Sequence, residues 1–290
     1  MREEMREQLV SDIMARSEVV SEDSGRETRV LFEEQAAALA GANNCHLRRV
    51  FEVALSKGVL PFRYVRNQQA ISVDEQLRLC RSSVSVVGVG GLGGYAAEQL
   101  ARLGIGGLVL VDPDVFVESN LNRQWFSRAS SLGRPRVEAA AEEISAINPG
   151  VEVSGRQDRL NRENGAELIA GADVVVDGLD NISDRLLLQK VCEEKQIPMV
   201  HGAIAGFEGQ VSTVLPGAAG LKTLYGESPA ESPPPEAVLG VPSLTPMMIA
   251  GLQVMEVLKI LLNRKRLLSG RMLYLDLKAP AIETFSFEDA

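Results

Sequence analysis

A chain of 290 residues has room for one large α/β domain with appendages, or for two small domains. Its 45% hydrophobic and 24% charged residues are ordinary for a globular protein, and a net charge of −9 argues against nucleic acid as a partner. Cys45, Cys80 and Cys192 stand far apart with no C-x-x-C pair, which disfavours a disulfide framework and a cysteine-rich zinc site.

The first residues mix charges of both signs and do not form a signal peptide. Residues 1–60 read as a helical N-terminal extension, with Val50, Val53, Ala54 and Leu60 in its apolar repeat and Pro61 closing it. A short helix is expected over Asp74–Arg81. Short Val-rich runs then alternate with helical patterns. The strands are Val84–Val87, Leu108–Val111, Val151–Val153, Val174–Asp177 and Met199–His201. The helices between them are Tyr95–Leu103, Pro135–Ile147, Asn164–Ala170 and Asp184–Lys195. Such alternation predicts a parallel sheet covered on both faces. Residues 209–215 alternate in the manner of an antiparallel extension. Residues 217–246 are rich in proline and poor in large apolar residues, so no regular structure is expected there. Thr245 and Pro246 suit an N-cap and first helical position. The helix they open, to about Leu262, is apolar but carries Gln253, Glu256 and Lys259, and reads as a core helix rather than a membrane span. Strands are expected over Met272–Leu277 and Ile282–Phe287. The fold class is therefore α/β: a doubly wound, Rossmann-like, mostly parallel sheet with an antiparallel C-terminal extension. A cytoplasmic location and no membrane contact are expected.

Gly88, Gly90 and Gly93 keep the G-x-G-x-x-G spacing between the first strand and its helix, with Gly91 and Gly94 added. Glycine allows the tight turn and lets backbone N–H groups approach a phosphate at a helix N-terminus. Asp112 ends the next strand, where a carboxylate can bind ribose hydroxyls. Taken alone, these residues say nucleotide without saying which reaction. Beyond them lies Asp112-Pro113-Asp114, then Ser119-Asn120-Leu121-Asn122-Arg123-Gln124. Arg123 can fork onto phosphate oxygens, with the Asn120 and Gln124 amides as further donors; a solvated loop arginine is the bland alternative. The strand ending at Asp177 is followed by Asp180-Asn181. Asp180 suits a Mg²⁺ that bridges phosphates, or else it caps the following helix. Asp114 and Asn181 complete the candidate nucleotide set.

The glycine turn, the Ser119–Gln124 run, Gly133-Arg134-Pro135-Arg136 and Asp177-Gly178-Leu179-Asp180-Asn181, in this order, resemble the ubiquitin-activating-type adenylyltransferases (the ThiF/MoeB/HesA family). The resemblance covers residues from about 61 to 262. It implies an ATP-binding adenylyltransferase domain over 61–290, with 217–246 as a crossover loop covering the tail of the partner. That partner would be a small ubiquitin-like sulfur carrier whose C-terminal Gly-Gly carboxylate attacks the α-phosphate of ATP, releasing pyrophosphate. Gly88, Gly90, Gly91 and Gly93 match the family's phosphate loop and Asp112 its ribose-binding acid. Asn120, Arg123 and Gln124 match its phosphate-holding signature, and Asp180 its Mg²⁺-binding aspartate. Residues 63–68, Arg-Tyr-Val-Arg-Asn-Gln, resemble an entry motif whose arginine reaches the ATP of the other subunit, which implies a homodimer. Arg66 is the better match and Arg63 the second.

Three departures stand out. Arg136 occupies the place of the family's lysine, so charge is kept and geometry changed. Leu221 and Leu224 replace the first zinc-binding cysteine pair and the second is missing, so no zinc is expected. No cysteine lies at Glu236–Gly240, which implies adenylation without a covalent cysteine intermediate. The candidate catalytic set is Arg123, Arg136, Asp180 and Arg66. Alternatives are adenylation of a different carboxylate, on a peptide or a tRNA nucleoside, and a degenerate scaffold that binds a carrier without turnover. An NAD(P)-dependent oxidoreductase fits only the glycine motif.

Overall fold

The computed structural model describes residues 3–21, 25–218, 220–226, 235–279 and 281–287. Two compact units emerge. The first comprises residues 1–82, 101–107 and 145–152; the second comprises 83–100, 108–144 and 153–290.

In the first unit, α1 (Glu3–Arg16) precedes β1 (Glu18–Ser21) and β2 (Glu27–Leu31). Then come α2 (Glu33–Ala42), α3 (Leu47–Ser56), β3 (Leu60–Pro61) and α4 (Val73–Arg81). The strands form a three-stranded sheet, β1 antiparallel and β3 parallel to the central β2. They interrupt what the sequence predicts as helix. The reason is local: β2 buries Thr28 and Val30 and exposes Glu27 and Arg29, a period of two inside a segment read for helical spacing. Leu9, Ile13, Val30, Leu39, Val50 and Phe51 form the core of this unit. Helix α4 starts on a capping box: Ser72 Oγ accepts from the Glu75 amide and Glu75 accepts from the Ser72 amide.

The second unit is built on an eight-stranded sheet. Its elements in chain order are β4 (Ser83–Val87), α5 (Gly91–Leu103), β5 (Gly107–Val111), α6 (Arg136–Ile147) and β6 (Glu152–Arg156). There follow α7 (Gly165–Leu168), β7 (Val174–Asp177), α8 (Ile182–Glu194), β8 (Met199–Ala205) and β9 (Glu208–Val214). Last come α9 (Lys222–Tyr225), α10 (Pro235–Leu239), α11 (Leu244–Leu261), β10 (Arg271–Asp276) and β11 (Ala281–Ser286). Parts of α5, β5, α6 and β6 belong to the first unit. The strand order is β11-β10-β9-β8-β7-β4-β5-β6, with β7 parallel to both β4 and β8 and the pairings among β8, β9, β10 and β11 antiparallel. The chain builds outward from β4 to β6, then returns to the other flank of β4 as β7. The strand order therefore reverses at β4, and the carboxyl ends of β4, β5 and β7 flank a crevice.

Two local expectations are corrected. Helix α11 begins at Leu244, so Thr245 is no N-cap; its hydroxyl donates to the Gly206 carbonyl 2.8 Å away. Residues 217–246 hold two short helices, α9 and α10, where none was expected; Pro229, Pro233 and Pro234 lie outside the described residues. Helix α11 is long and apolar enough to cross a membrane by composition, but half of it is buried inside the fold. Ile249, Ala250, Val254 and Val257 are core residues there.

Candidate active site

A cleft of about 270 Å³ opens at the reversal of strand order. Gly88, Gly90, Gly91, Asp112, Asp114, Asn120, Arg123, Gln124, Arg136, Asp180 and Asn181 all line it. Gly93 and Arg66 do not, and Gly178, Asp158, Arg159, Arg185 and Glu236, none assigned a role from sequence, do.

The glycines work by close approach. Gly88 has φ +90°, and a Cβ there would lie 2.5 Å from the Gly178 carbonyl oxygen. A Cβ on Gly93 or on Gly178 would overlap the Gly88 carbonyl oxygen. Three backbone segments, the turn after β4, the first turn of α5 and the turn after β7, thus meet with no side chain between them. Gly90 and Gly91 face only ordinary contacts, from Gln124 and Arg136 and from Pro246 and Arg123. The signal for Gly178 was in the sequence: a strand-final acid, a glycine, then a second acid.

The turn after β5 is folded on Asn120. Its side-chain oxygen accepts from the Val117 amide at 3.0 Å, and its carbonyl accepts from the Gln124 amide at 2.9 Å. That places Arg123 and Gln124 on the cleft. Asp112 is 3% exposed and accepts from the amides of Val89 (2.7 Å) and Asp114 (2.9 Å). Burial raises its pKa, opposed by Arg136 and those two amides. Arg136 Nη1 lies 3.1 Å from Asp114 and 3.3 Å from Asp112.

Arg123 donates to the Ser119 carbonyl and the Asn122 side chain, both at 2.9 Å. Desolvation pushes its pKa down and the nearby Arg136 cation pushes the same way, while Asp180 opposes. The two guanidinium groups repel each other, Arg136 being answered in part by Asp112 and Asp114, and an anion between them would relieve what repulsion is left. Gln124 Oε1 and Arg136 Nε are also buried without a hydrogen-bond partner among the described residues. Buried polar atoms are normally paired, so the orphans ask for a polar ligand: Arg136 Nε, a donor, fits an anion, and Gln124 Oε1, an acceptor, fits a hydroxyl or an N–H.

Asp180 is exposed and its carboxylate is not the helix cap: Asn181 caps α8 by accepting from the Asp184 amide at 2.9 Å. Asn181 also donates to the Asp184 carboxylate (2.9 Å), so its side chain is committed to the helix end. The described residues hold no group of three or more His, Cys, Asp or Glu able to cage a metal. An exposed carboxylate on the rim of the cleft still fits Mg²⁺, which takes one or two carboxylates and completes its shell with ligand oxygens and water.

Outside the cleft, Arg63 is paired with Glu33 and donates to the Ile147 carbonyl (3.2 Å), whereas Arg66 is exposed. Tyr64 is buried and its hydroxyl accepts from Asn148 at 2.9 Å. Cys80 and Cys192 are buried, and burial pushes both thiols up to about 12. Leu221 is fully buried in the cluster of Val87, Leu188 and Val214, with Leu224 packed on it.

Residues 64–290 match the ThiF family model. The chain is 40% identical over 228 residues to a SAMP-activating enzyme E1 from Haloferax volcanii, a match spanning 78% of this chain and 84% of that one. It is 35% identical over 218 residues to a probable molybdopterin-synthase adenylyltransferase from Porphyra purpurea, covering 74% of this chain but 57% of the relative. Among solved structures, Escherichia coli MccB with MccA-N7isoASN superposes with a TM-score of 0.68 at 20% identity, over 78% of this chain and 72% of that one. At that identity the likeness speaks for the fold.

Proposed function

The chain belongs to the ThiF family, and on that premise we propose that its cleft binds ATP and adenylates the C-terminal Gly-Gly carboxylate of a small ubiquitin-like sulfur carrier. The carrying observation is the convergence of Arg123 and Arg136, with the buried donor Arg136 Nε unpartnered, on the glycine turn. The relatives named as SAMP-activating and molybdopterin-synthase adenylyltransferases support the same reaction class.

A carboxylate is already a nucleophile, so the site needs no general base. Its work is positioning and charge neutralisation. The bare amides of the turn after β4 and the N-terminus of α5 receive phosphate oxygens. Asp112 accepts from the Val89 and Asp114 amides and, at 3.3 Å on both oxygens, from Arg136, so ribose hydroxyls would take the place of the long Arg136 contacts. Carboxylate oxygen bonds to the α-phosphorus as the bond to the bridging oxygen of pyrophosphate breaks. Arg123 and Arg136 stabilise the charge that builds on the departing group, and Asp180 would hold the Mg²⁺ that supplies further neutralisation there. Arg66, exposed where Arg63 is tied down, is the candidate to complete the site of a second copy in a homodimer. Buried cysteine thiols held far from ionisation support a reaction that stops at the acyl-adenylate.

The test is ATP–pyrophosphate exchange that depends on a Gly-Gly-ended carrier. Asp180→Ala is expected to lower the exchange rate by about 10²-fold. Arg123→Ala should raise the KM for ATP by ~10-fold or more, from losing charge-assisted bonds of about 1.5–3 kcal/mol. Exchange unchanged in Asp180→Ala overturns the role given to Asp180, and absence of ATP binding overturns the reading as a whole.

A further inference from the structure

Behind the cleft lies a polar chain, buried at Asp177 and His201 and half-buried at Tyr225 and Gln210, that adenylation does not use directly. Gln210 Nε2 donates to the Tyr225 hydroxyl at 2.7 Å, and that hydroxyl is 2.9 Å from His201 Nε2. His201 Nδ1 is 2.7 Å from Asp177 Oδ2, and the other Asp177 oxygen accepts from the Leu179 amide at 3.0 Å. The roles follow from what each atom can do. Gln210 gives a proton to the hydroxyl oxygen, so the hydroxyl hydrogen is free for His201 Nε2. The ring is then protonated at Nδ1 and donates to the carboxylate. His201 is fully buried, and burial holds it neutral against the pull of Asp177.

Arg185 closes the arrangement. Its Nη1 donates to the Gly202 carbonyl at 2.7 Å, and its Nη2 to the Leu179 carbonyl. Both polar groups of Leu179 are therefore pinned, the amide by Asp177 and the carbonyl by Arg185. Asp180 is the next residue.

We propose that Tyr225 and His201 are positioning residues: through Asp177 they fix the Leu179–Asp180 turn, so that the seating of α9 sets where the Asp180 carboxylate stands. The inference rests on the role given to Asp180 under adenylation. Its mechanical half, the hold on Leu179, is independent of that role. Tyr225 lies in the stretch expected to cover the carrier's tail, which gives the link a direction: α9 seated, Asp180 held. The thermodynamic coupling is reciprocal, so whatever fixes Asp180 also favours a seated α9.

Three variants of the full chain test it. Tyr225→Phe removes one hydroxyl and little volume. His201→Phe removes both ring contacts, and His201→Gln restores a donor toward Asp177 and an acceptor toward Tyr225. The first readout is hydrogen exchange at the Leu179 amide, expected to quicken in Tyr225→Phe and His201→Phe and to stay slow in His201→Gln. The second is carrier-dependent pyrophosphate exchange, where kcat is expected to fall about 10-fold, a fraction of the 10²-fold that an ångström of misplacement produces, with KM for ATP unchanged. His201→Gln should recover most of that loss. A fall in melting temperature with Leu179 exchange and kcat both at wild-type values overturns the proposal. Quickened Leu179 exchange in Tyr225→Phe and His201→Phe, with a wild type that binds ATP but performs no pyrophosphate exchange, would leave the hold intact and sink only the adenylation reading. Wild-type Leu179 exchange in Tyr225→Phe and His201→Phe sinks the hold itself.

Discussion

Gly178→Ala is the sharpest probe of the cleft floor. Gly178 is not among the glycines with positive φ, so the cost of the methyl is steric rather than that of a left-handed backbone. The added Cβ falls roughly an ångström short of ordinary contact with the Gly88 carbonyl, and the Cα and N of Gly93 lie 3.0 and 3.1 Å from it. All of these neighbours are backbone, so no side chain can swing away. Overpacking of this kind costs about 1–3 kcal/mol, and a contact walled by backbone belongs at the upper end. At about 2–4 °C per kcal/mol, the melting temperature should fall by roughly 6–12 °C. Relief must come from backbone shifts in the glycine turn or the turn after β7, both of which line the cleft, so kcat for pyrophosphate exchange should drop by about 10²-fold in the protein that remains folded. Gly41→Ala is the matched control: Gly41 lies in α2 with nothing within 4 Å of its added methyl, and the change should stabilise by about 0.5–1 kcal/mol. Differential scanning calorimetry and the exchange assay read both effects. Wild-type melting and wild-type exchange in Gly178→Ala would refute the reasoning.

Leu221→Ala should destabilise the second unit by about 2–5 kcal/mol, because the side chain is fully buried and leaves a cavity; chemical denaturation measures it. His201 gives a pH signature. Its folded pKa lies below the ordinary 6.5, so on acidification the unfolded chain takes up the proton first. Its contribution to stability is complete above 6.5 and is lost as pH falls from there through the folded pKa. Denaturation midpoints measured across that window should be flatter in His201→Gln than in wild type, and parallel curves would count against the buried neutral ring.

What the sequence made legible was the frame of the second unit. Val84–Val87 and Val174–Asp177 read as strands because both faces of a parallel sheet are buried, and continuous valine runs leave no other choice. The carboxyl-edge residues followed from that frame, and Asp112, Asn120, Arg123, Gln124, Arg136 and Asp180 do line one cleft. Shorter, mixed segments were harder to read. Strand β6 runs on to Arg156 through Ser154 and Gly155, on an edge whose side chains are mostly exposed, so hydropathy marked only its start. Helix α5 begins at Gly91, inside the glycine run, because close packing against the turn after β4 overrides glycine's poor helix propensity. The network of Arg185, His201 and Tyr225 was invisible for a different reason. Its members are far apart in the chain, and each alone reads as an ordinary core or surface residue.

The seat of α9 has a thermal consequence. Leu221 and Leu224 fix this helix by apolar contact, within a cluster that includes Val214 and Leu188. Apolar attraction near room temperature is entropic and fades on cooling, where a thiolate–metal anchor would not. The grip of α9 should therefore slacken in the cold sooner than that of the hydrogen-bonded strands around it. Low temperature would reach the Asp180 turn through a leucine pair rather than through the nucleotide cleft.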